Sequence, residues 1–478
     1  MMIDDTANLE KTAEELDSLQ QLEERYAEEF VEFAYKIRKD FLLSAGITFT
    51  LEILTELELL TDELKSGNIT IEGILSNTNE IPERSGIASY LGRHKKWKIG
   101  GLESDYYSGD YDVIFDFGGD DFYDLSYDAA KPHSTIIIDL SGNDIYNSMT
   151  DFTIGSGCLN VGLLIDLLGD DVYNGMSFSV GSGFYGMGMI YEGGGNDKYY
   201  GDTHTEGAGT FGIGLLLDKG GHDQYNAALY SQAFGMTEGF GLIVDQDGND
   251  NYFAGAKYRE LLGLAGENPH HLSLSQGFGY GLRPYCSGGI GAIVDFRGND
   301  NYLSDIMGTG SSYWWALGMI YDSSGHDQYI SYQYAQGAGI HMSLGFLLDE
   351  TGDDFYRGKG LMQGCGHDYG CGFILDRQGN DIYQASDLSQ AGGQANGIGI
   401  LIDDRGDDAY YVLKTGNTQG YGNPRRDFGS IGLFIDMGGK DIYGGNGSDN
   451  AYWKTDSKWG GGMDVEFIPV DSTRGGDN

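Results

Sequence analysis

This chain of 478 residues has few of the residues that staple or break a fold: four cysteines (Cys158, Cys286, Cys365, Cys371) and six prolines. Four cysteines are too few for a disulfide framework, and none has CxxC or Cys/His zinc spacing. Positive charge is scarce as well. Lys plus Arg number 29 against 73 Asp plus Glu, a formal net charge of −44. Such a surface repels nucleic acid and anionic membranes and favours cations or cationic partners. No run approaches the roughly 20 apolar residues that a membrane-spanning helix needs. The opening MMIDDTANLEKTAEELD has neither the basic nor the apolar part of a secretory leader. The expectation is a cytoplasmic protein, or an extracellular or cell-surface one if a leader has been removed.

What the chain has in abundance is glycine and tyrosine, 79 and 34 residues, set in a repeat. An apolar triplet is followed by Asp-x-x-Gly-x-Asp-x-Tyr twelve times. The leading acid is Asp116, Asp139, Asp166, Glu192, Asp218, Asp245, Asp295, Asp322, Asp349, Asp376, Asp403 or Asp436. Five residues later stands Asp121, Asp144, Asp171, Asp197, Asp223, Asp250, Asp300, Asp327, Asp354, Asp381, Asp408 or Asp441, and Tyr follows two residues on. Most copies are 26 or 27 residues apart. A fixed period of this length marks stacked units that bury their apolar faces only against their neighbours.

Short, glycine-punctuated apolar triplets predict an all-β fold over 106–445: a parallel β-solenoid of about twelve coils with about three strands per turn. Propeller blades need longer units, and the triplets lack the alternation of an outer-membrane barrel. At about 4.8 Å per coil the rod would be roughly 55–60 Å long. In-register stacking would align the twelve Tyr into a ladder of rings, a packing feature. Gly stands four residues before the leading acid from Gly162 to Gly432, and an amide-Gly-x-Gly element precedes several coils, as at Gln336, Gln363 and Gln419.

Residues 8 to about 66 show helical periodicity (Leu16, Leu19, Leu22, Tyr26, Phe30, Phe33, Ile37, Phe41), divided at Ser44-Ala45-Gly46 into two runs, the second continuing to a stop at Lys65-Ser66-Gly67-Asn68. The expectation is a helical hairpin over 1–67, capping the open edge of the first coil or serving as a dimerising or docking pair. Residues 68–105 form a linker whose cluster Arg93-His94-Lys95-Lys96-Trp97-Lys98 reads as internal counter-charge, and 446–478 are a C-terminal cap and tail.

Two stacked ladders of acids cannot all stay ionised uncompensated. Backbone donors, raised pKa values or bound cations are the three answers. Here the motif resembles the calcium-binding nonapeptide GGxGxDxUx of the RTX exoproteins, closest at residues 193–199 (Gly-Gly-Gly-Asn-Asp-Lys-Tyr), with Gly-Asn-Asp-x-Tyr recurring at 248–252, 298–302 and 379–383. The resemblance implies that Asp197, Asp250, Asp300 and Asp381 ligate Ca²⁺ with turn carbonyls. It is partial: one motif per coil replaces tandem nonapeptides, and Tyr stands where that family prefers Leu or Ile. His222, His326 and Lys440 at the variable position argue against a ligand there. Hard carboxylate oxygens suit Ca²⁺. All the Asp of both ladders are candidate ligands, and metal-free Asx-turn capping is the alternative.

The repeat breaks around coils 7–10. Residues 253–275 are largely additional, with Arg259, Glu260, His270 and His271; six further residues follow near Gly279–Cys286, and Gly422-Asn-Pro-Arg425-Arg426-Asp interrupts the last coil. Eight residues before the leading acid, usually a small residue, stand Trp314, His341 and Asp368. Stacking would place these in a row beside Arg283, under the insertion, with His367 pointing the other way. An Arg, a His, an Asp and a Trp in one groove form a candidate catalytic site for an anionic sugar. Two function classes follow: a non-enzymatic scaffold, adhesin or binding surface stabilised by calcium, and a polysaccharide lyase or glycoside hydrolase acting at this groove. Expected partners are cations, a polysaccharide, or another protein through the N-terminal helices.

Overall fold

The computed structural model describes residues 25, 28–29, 31–37, 39–68, 70, 96–127, 135–261, 263, 269–423 and 429–465. Each apolar triplet forms one strand of a first, leading sheet, and each Tyr segment forms one strand of a second, tyrosine sheet. The Gly-x pairs from Gly157–Cys158 to Gly393–Gln394 form a third, of nine strands. Neighbouring coils pair in parallel and in register, as in Gly345↔Gly372 and Asp349↔Asp376. The chain is a parallel β-solenoid, as the repeat predicts.

Period-two alternation decides what goes inside. On the leading sheet Leu164, Ile190, Ile243, Ile320 and Leu401 are fully buried. Opposite them the Tyr side chains stack, successive centroids 4.5–5.0 Å apart and planes within 20°. The ladder begins one coil before the first motif. Trp97–Ile99 and Tyr106–Ser108 are strands there, with Asp105 and Tyr107 in the fifth and seventh positions and Gly100 in the leading slot. It gains a last rung at Gly460–Asp464, on which Tyr452–Lys454 pairs antiparallel, covering that edge. The repeat glycines mark close approach: a Cβ on Gly345 would lie 2.3 Å from the Ala338 carbonyl oxygen. The amides act as staples, Gln336 Nε2 donating to the carbonyls of Tyr329 (2.7 Å) and Arg357 (3.0 Å) on adjacent coils.

The N-terminal region differs from the sequence expectation in two respects. Residues 31–36 are helical and a second helix, α1 (Lys39–Lys65), runs unbroken through Ser44-Ala45-Gly46; the helical run is instead interrupted at Ile37, and the expected helix before residue 25 lies outside the described residues. Nor does α1 cap the end of the rod. It crosses the outer face of the leading sheet, with Gly46 against Val161 and Met187 and Leu57 in an apolar cluster with Leu163 and Ile165. Lys39 pairs with Glu238 and lies over the Phe211 ring. The apolar outer positions of the first coils draw the helix there, since burying them outweighs covering an edge of three-residue strands. Of the basic cluster, Lys98 lies over the Tyr107 ring; Arg93, His94 and Lys95 lie outside the described residues.

Candidate metal centre and corner site

Each turn places two carboxylates and a third side chain, mostly Asn, Asp or His, in a recurring hydrogen-bond pattern. On the first six coils, Asp116 to Asp245, the leading carboxylate accepts a backbone N–H two residues on, as Asp116 does from Gly118 (2.9 Å) and Asp218 from Gly220 (2.9 Å). Its other oxygen accepts the phenol of the preceding coil's tyrosine: Tyr146 to Asp166, Tyr199 to Asp218, Tyr225 to Asp245, Tyr329 to Asp349 and Tyr356 to Asp376, all at 2.6–2.8 Å. The fifth-position aspartates form a continuous inner ladder, each backbone N–H donating to Oδ1 of the next coil's Asp at 2.5–2.7 Å, from Asp121 to Asp441. The residue just before forms an outer ladder in the opposite sense. There Asp120, Asn143, Asp170, Asn196, His222, Asn249, Asn299, His326, Asp353, Asn380 and Asp407 accept backbone N–H groups at 2.7–3.1 Å. The histidines and Lys440 at that position are therefore explained by stacking.

All twenty-four motif acids are buried, and at least one oxygen per coil is left over; from Asp295 to Asp436 the leading Oδ1 is a second. In all twelve copies Oδ2 of the fifth-position Asp has no hydrogen-bond partner. These oxygens lie among the leading carboxylates: one oxygen each from Asp139, Asp144 and Asp166, or from Asp223, Asp245 and Asp250, falls within 4.8 Å of the others, and the pattern recurs along the rod. Burial, reinforced by neighbouring carboxylates, pushes Asp144, Asp223, Asp327 and Asp381 up to about 10, and Asp197, Asp250, Asp300, Asp354, Asp408 and Asp441 up to about 8. A buried carboxylate oxygen without a donor needs a positive partner, either a proton shared with the leading carboxyl or a metal ion. The donors are hard oxygens and suit calcium in kind. Three carboxylates supply part of a six-to-eight-oxygen shell, so turn carbonyls would have to complete it.

The second candidate lies on the corner between the third and leading sheets. Trp314 and Trp315, His341 and Met342, Asp368 and Tyr369, and Ala395 and Asn396 form left-handed pairs there, with φ between 50° and 67°. Because Ala395 shares this conformation, the corner is a structural device of the coil, and only the side chains differ. Backbone N–H groups of Trp314, His341 and Asp368 donate to Ile340, His367 and Gln394, fixing them on consecutive rungs. His341 Nδ1 lies 2.8 Å from Oδ2 of buried Asp368. The Arg283 guanidinium stacks 5.2 Å over the Trp314 ring and donates to the Tyr313 hydroxyl at 3.4 Å; the Tyr313 ring meets His341 edge-on at 5.0 Å. The four predicted residues are thus brought together, and Tyr313 links the pairs. Its tyrosine lay in the motif's blind spot, one residue before a singled-out position. His367 stays near, its ring 5.9 Å from that of His341, because the left-handed corner breaks strict alternation.

The insertion is fastened along the opposite corner, between the tyrosine and third sheets, where Leu272 bridges to Ile306. Lys257 and Tyr258 reach Asp202, and His270 reaches Asp305 Oδ1 at 2.7 Å and stacks on Tyr332. Tyr258 and Leu272 share an apolar cluster with Tyr280 and Tyr313. Arg425 and Arg426 lie outside the described residues. No family model, curated protein or solved structure matches this chain.

Proposed function

We propose that this chain is a non-enzymatic scaffold or binding surface, an acidic β-solenoid whose interior carboxyl ladders are held by calcium. The observation that carries the reading is the row of twelve buried Oδ2 atoms without a donor. Asp144, with Asp139 and Asp166, is representative of the residues that would hold each ion. Calcium would supply charge compensation there and no chemistry. The chain's own groups do the rest: phenols, joined on the first six coils by turn amides, hold the leading carboxylates in place, so the oxygens are preorganised along the rod. Weak extracellular calcium modules work at millimolar ion, which suits a cell-surface or extracellular setting. Binding to the folded state alone raises the melting temperature by mass action. Melting followed by circular dichroism should therefore fall in excess EGTA at neutral pH and recover with added calcium. An unchanged curve sinks the calcium part and leaves shared protons.

The His341–Asp368 pair beside Arg283 and Trp314 favours a second reading, a site that binds or cleaves an anionic polysaccharide. The Asp would orient and charge-stabilise the imidazole, and Arg283 would meet a sugar carboxylate. On this reading His341→Ala abolishes binding or cleavage of polygalacturonate and leaves the melting temperature nearly unchanged. A packing histidine would instead cost about 1–3 kcal/mol of stability for its lost buried hydrogen bond.

A further inference from the structure

The outer face of the leading sheet changes character along the rod. On the early coils it is covered by α1, and Leu163, Met187 and Met189 are at most 2% exposed. On the last seven coils the strands from Phe240–Asp245 to Ile431–Asp436 keep the same pattern, three outward apolar residues per strand, with no element of the described chain over them. Leu344, Ile398, Ile431 and Leu433 are 37–45% exposed there. A monomer rarely presents a contiguous apolar face of this extent.

We propose that this open stretch is the interface with a second copy of the chain, packed face to face about a twofold axis. Seven strands 4.8 Å apart and six residues long cover about 34 by 20 Å, roughly 700 Å² per copy. That approaches the about 800 Å² per partner of a stable complex. The patch is the same on both copies, so it pairs with itself across a twofold axis and closes. Outward positions carry no carboxylate, ammonium or guanidinium, and the turn-side rim pairs its charges locally: Arg297 with Asp247 at 3.2 Å, and Arg377 with Glu350 at 3.1 Å and Asp404 at 3.5 Å. The formal charge of −44 is little obstacle, because its ladder acids are buried away from this face. The interface is also continuous with an existing one. The same sheet already buries its early coils under α1, and α1 exposes Phe41, Leu51 and Leu59 on its far side, extending the apolar surface toward a partner.

Sedimentation of the full chain tests this. The expected mass is twice 52.0 kDa through the micromolar range, falling to one chain in Phe346→Lys/Ile400→Lys, while Gln328→Lys on the tyrosine sheet leaves the dimer intact. A one-chain mass for the wild type at high micromolar concentration overturns the proposal, as does a dimer that persists in the natively folded double variant. Should the double variant not fold, the wild type answers alone. Cys371 points outward on this face, so its alkylation by iodoacetamide should slow several-fold on going from dilute to concentrated protein, with Cys158 as the internal reference. Equal slowing at both, or none at Cys371, overturns it. A one-chain protein that binds phosphatidylcholine vesicles would assign the face to a lipid surface and also overturn it.

Discussion

Glu206 occupies the left-handed slot that Gln232, Gln276, Gln336, Gln363 and Gln390 fill in other coils. Those amides donate to two carbonyls on neighbouring coils, which an ionised carboxylate cannot do. Burial raises the Glu206 pKa well above its usual value, so the folded state keeps a proton that the unfolded chain releases. Glu206→Gln removes that dependence and supplies the donor. The variant should melt higher than wild type, by an increment that grows as pH rises from 5 to 8; a lower or pH-independent difference would contradict it. Asp381→Asn tests the inner ladder. Its amide oxygen still accepts the Asp354 N–H (2.7 Å in the parent), and its NH₂ stands where Oδ2 lacks a donor. With calcium as the partner, the rise in melting temperature on adding calcium shrinks; with a shared proton, the calcium-free melting temperature stays nearly constant.

At the scale of elements, glycine carries two opposite meanings, and sequence pattern separates them poorly. Ser44-Ala45-Gly46 has the composition of a helix stop, yet Gly46 is interior to α1 because a missing Cβ lets the helix reach Val161 and Met187, about 3.0 Å from where that Cβ would be. Gly46→Leu should therefore displace α1 more than it stabilises the helix locally, lowering the melting temperature. Leu57→Ala, at 7% exposure, should cost about 2–5 kcal/mol as a cavity under the same helix. If both variants melt like wild type, α1 does not dock as described. The strands were far more legible, since a period of 26 or 27 residues with Gly and Asp at fixed offsets permits little but stacked parallel coils. The two outermost rungs were hidden because Gly100 replaces the leading acid in one, and in the other only Asp464 remains of the motif. The corner residues were found as deviations from the repeat, whereas Tyr313 and the outer Asn/His/Asp ladder were missed because their roles exist only between coils and no single coil displays them.

For the whole molecule, the buried ladders set the response to pH, and its sign is unusual. An ordinary carboxylate is held below its free value by folding and loses stability in acid. Here the inner Asp from Asp144 to Asp441 are raised to about 8–10 by burial and neighbouring carboxylates. The folded rod thus holds protons that the unfolded chain gives up near pH 4. Linkage makes that stability fully present below about pH 4 and lost progressively as pH rises through 8 to 10. Asp170, Asp353 and Asp387 are shifted down by local hydrogen bonds and act oppositely, but they are few and the first two lie on the exposed outer ladder. Self-repulsion of an acidic chain also grows with pH and adds to the trend. In EGTA the melting temperature should accordingly fall steadily from pH 5 to pH 9. Calcium competes with protons for the same oxygens, so its stabilising effect should be smallest at pH 5 and largest at pH 9, flattening the profile. Melting curves at a series of pH values, with EGTA and with excess calcium, separate the cases. Two diverging lines support cation-held ladders. One falling line common to both conditions identifies protons alone as the partner of the orphaned oxygens. A line that rises with pH in EGTA would mean that the ladder carboxylates are ionised in the fold, and the buried-carboxyl account would fail with it.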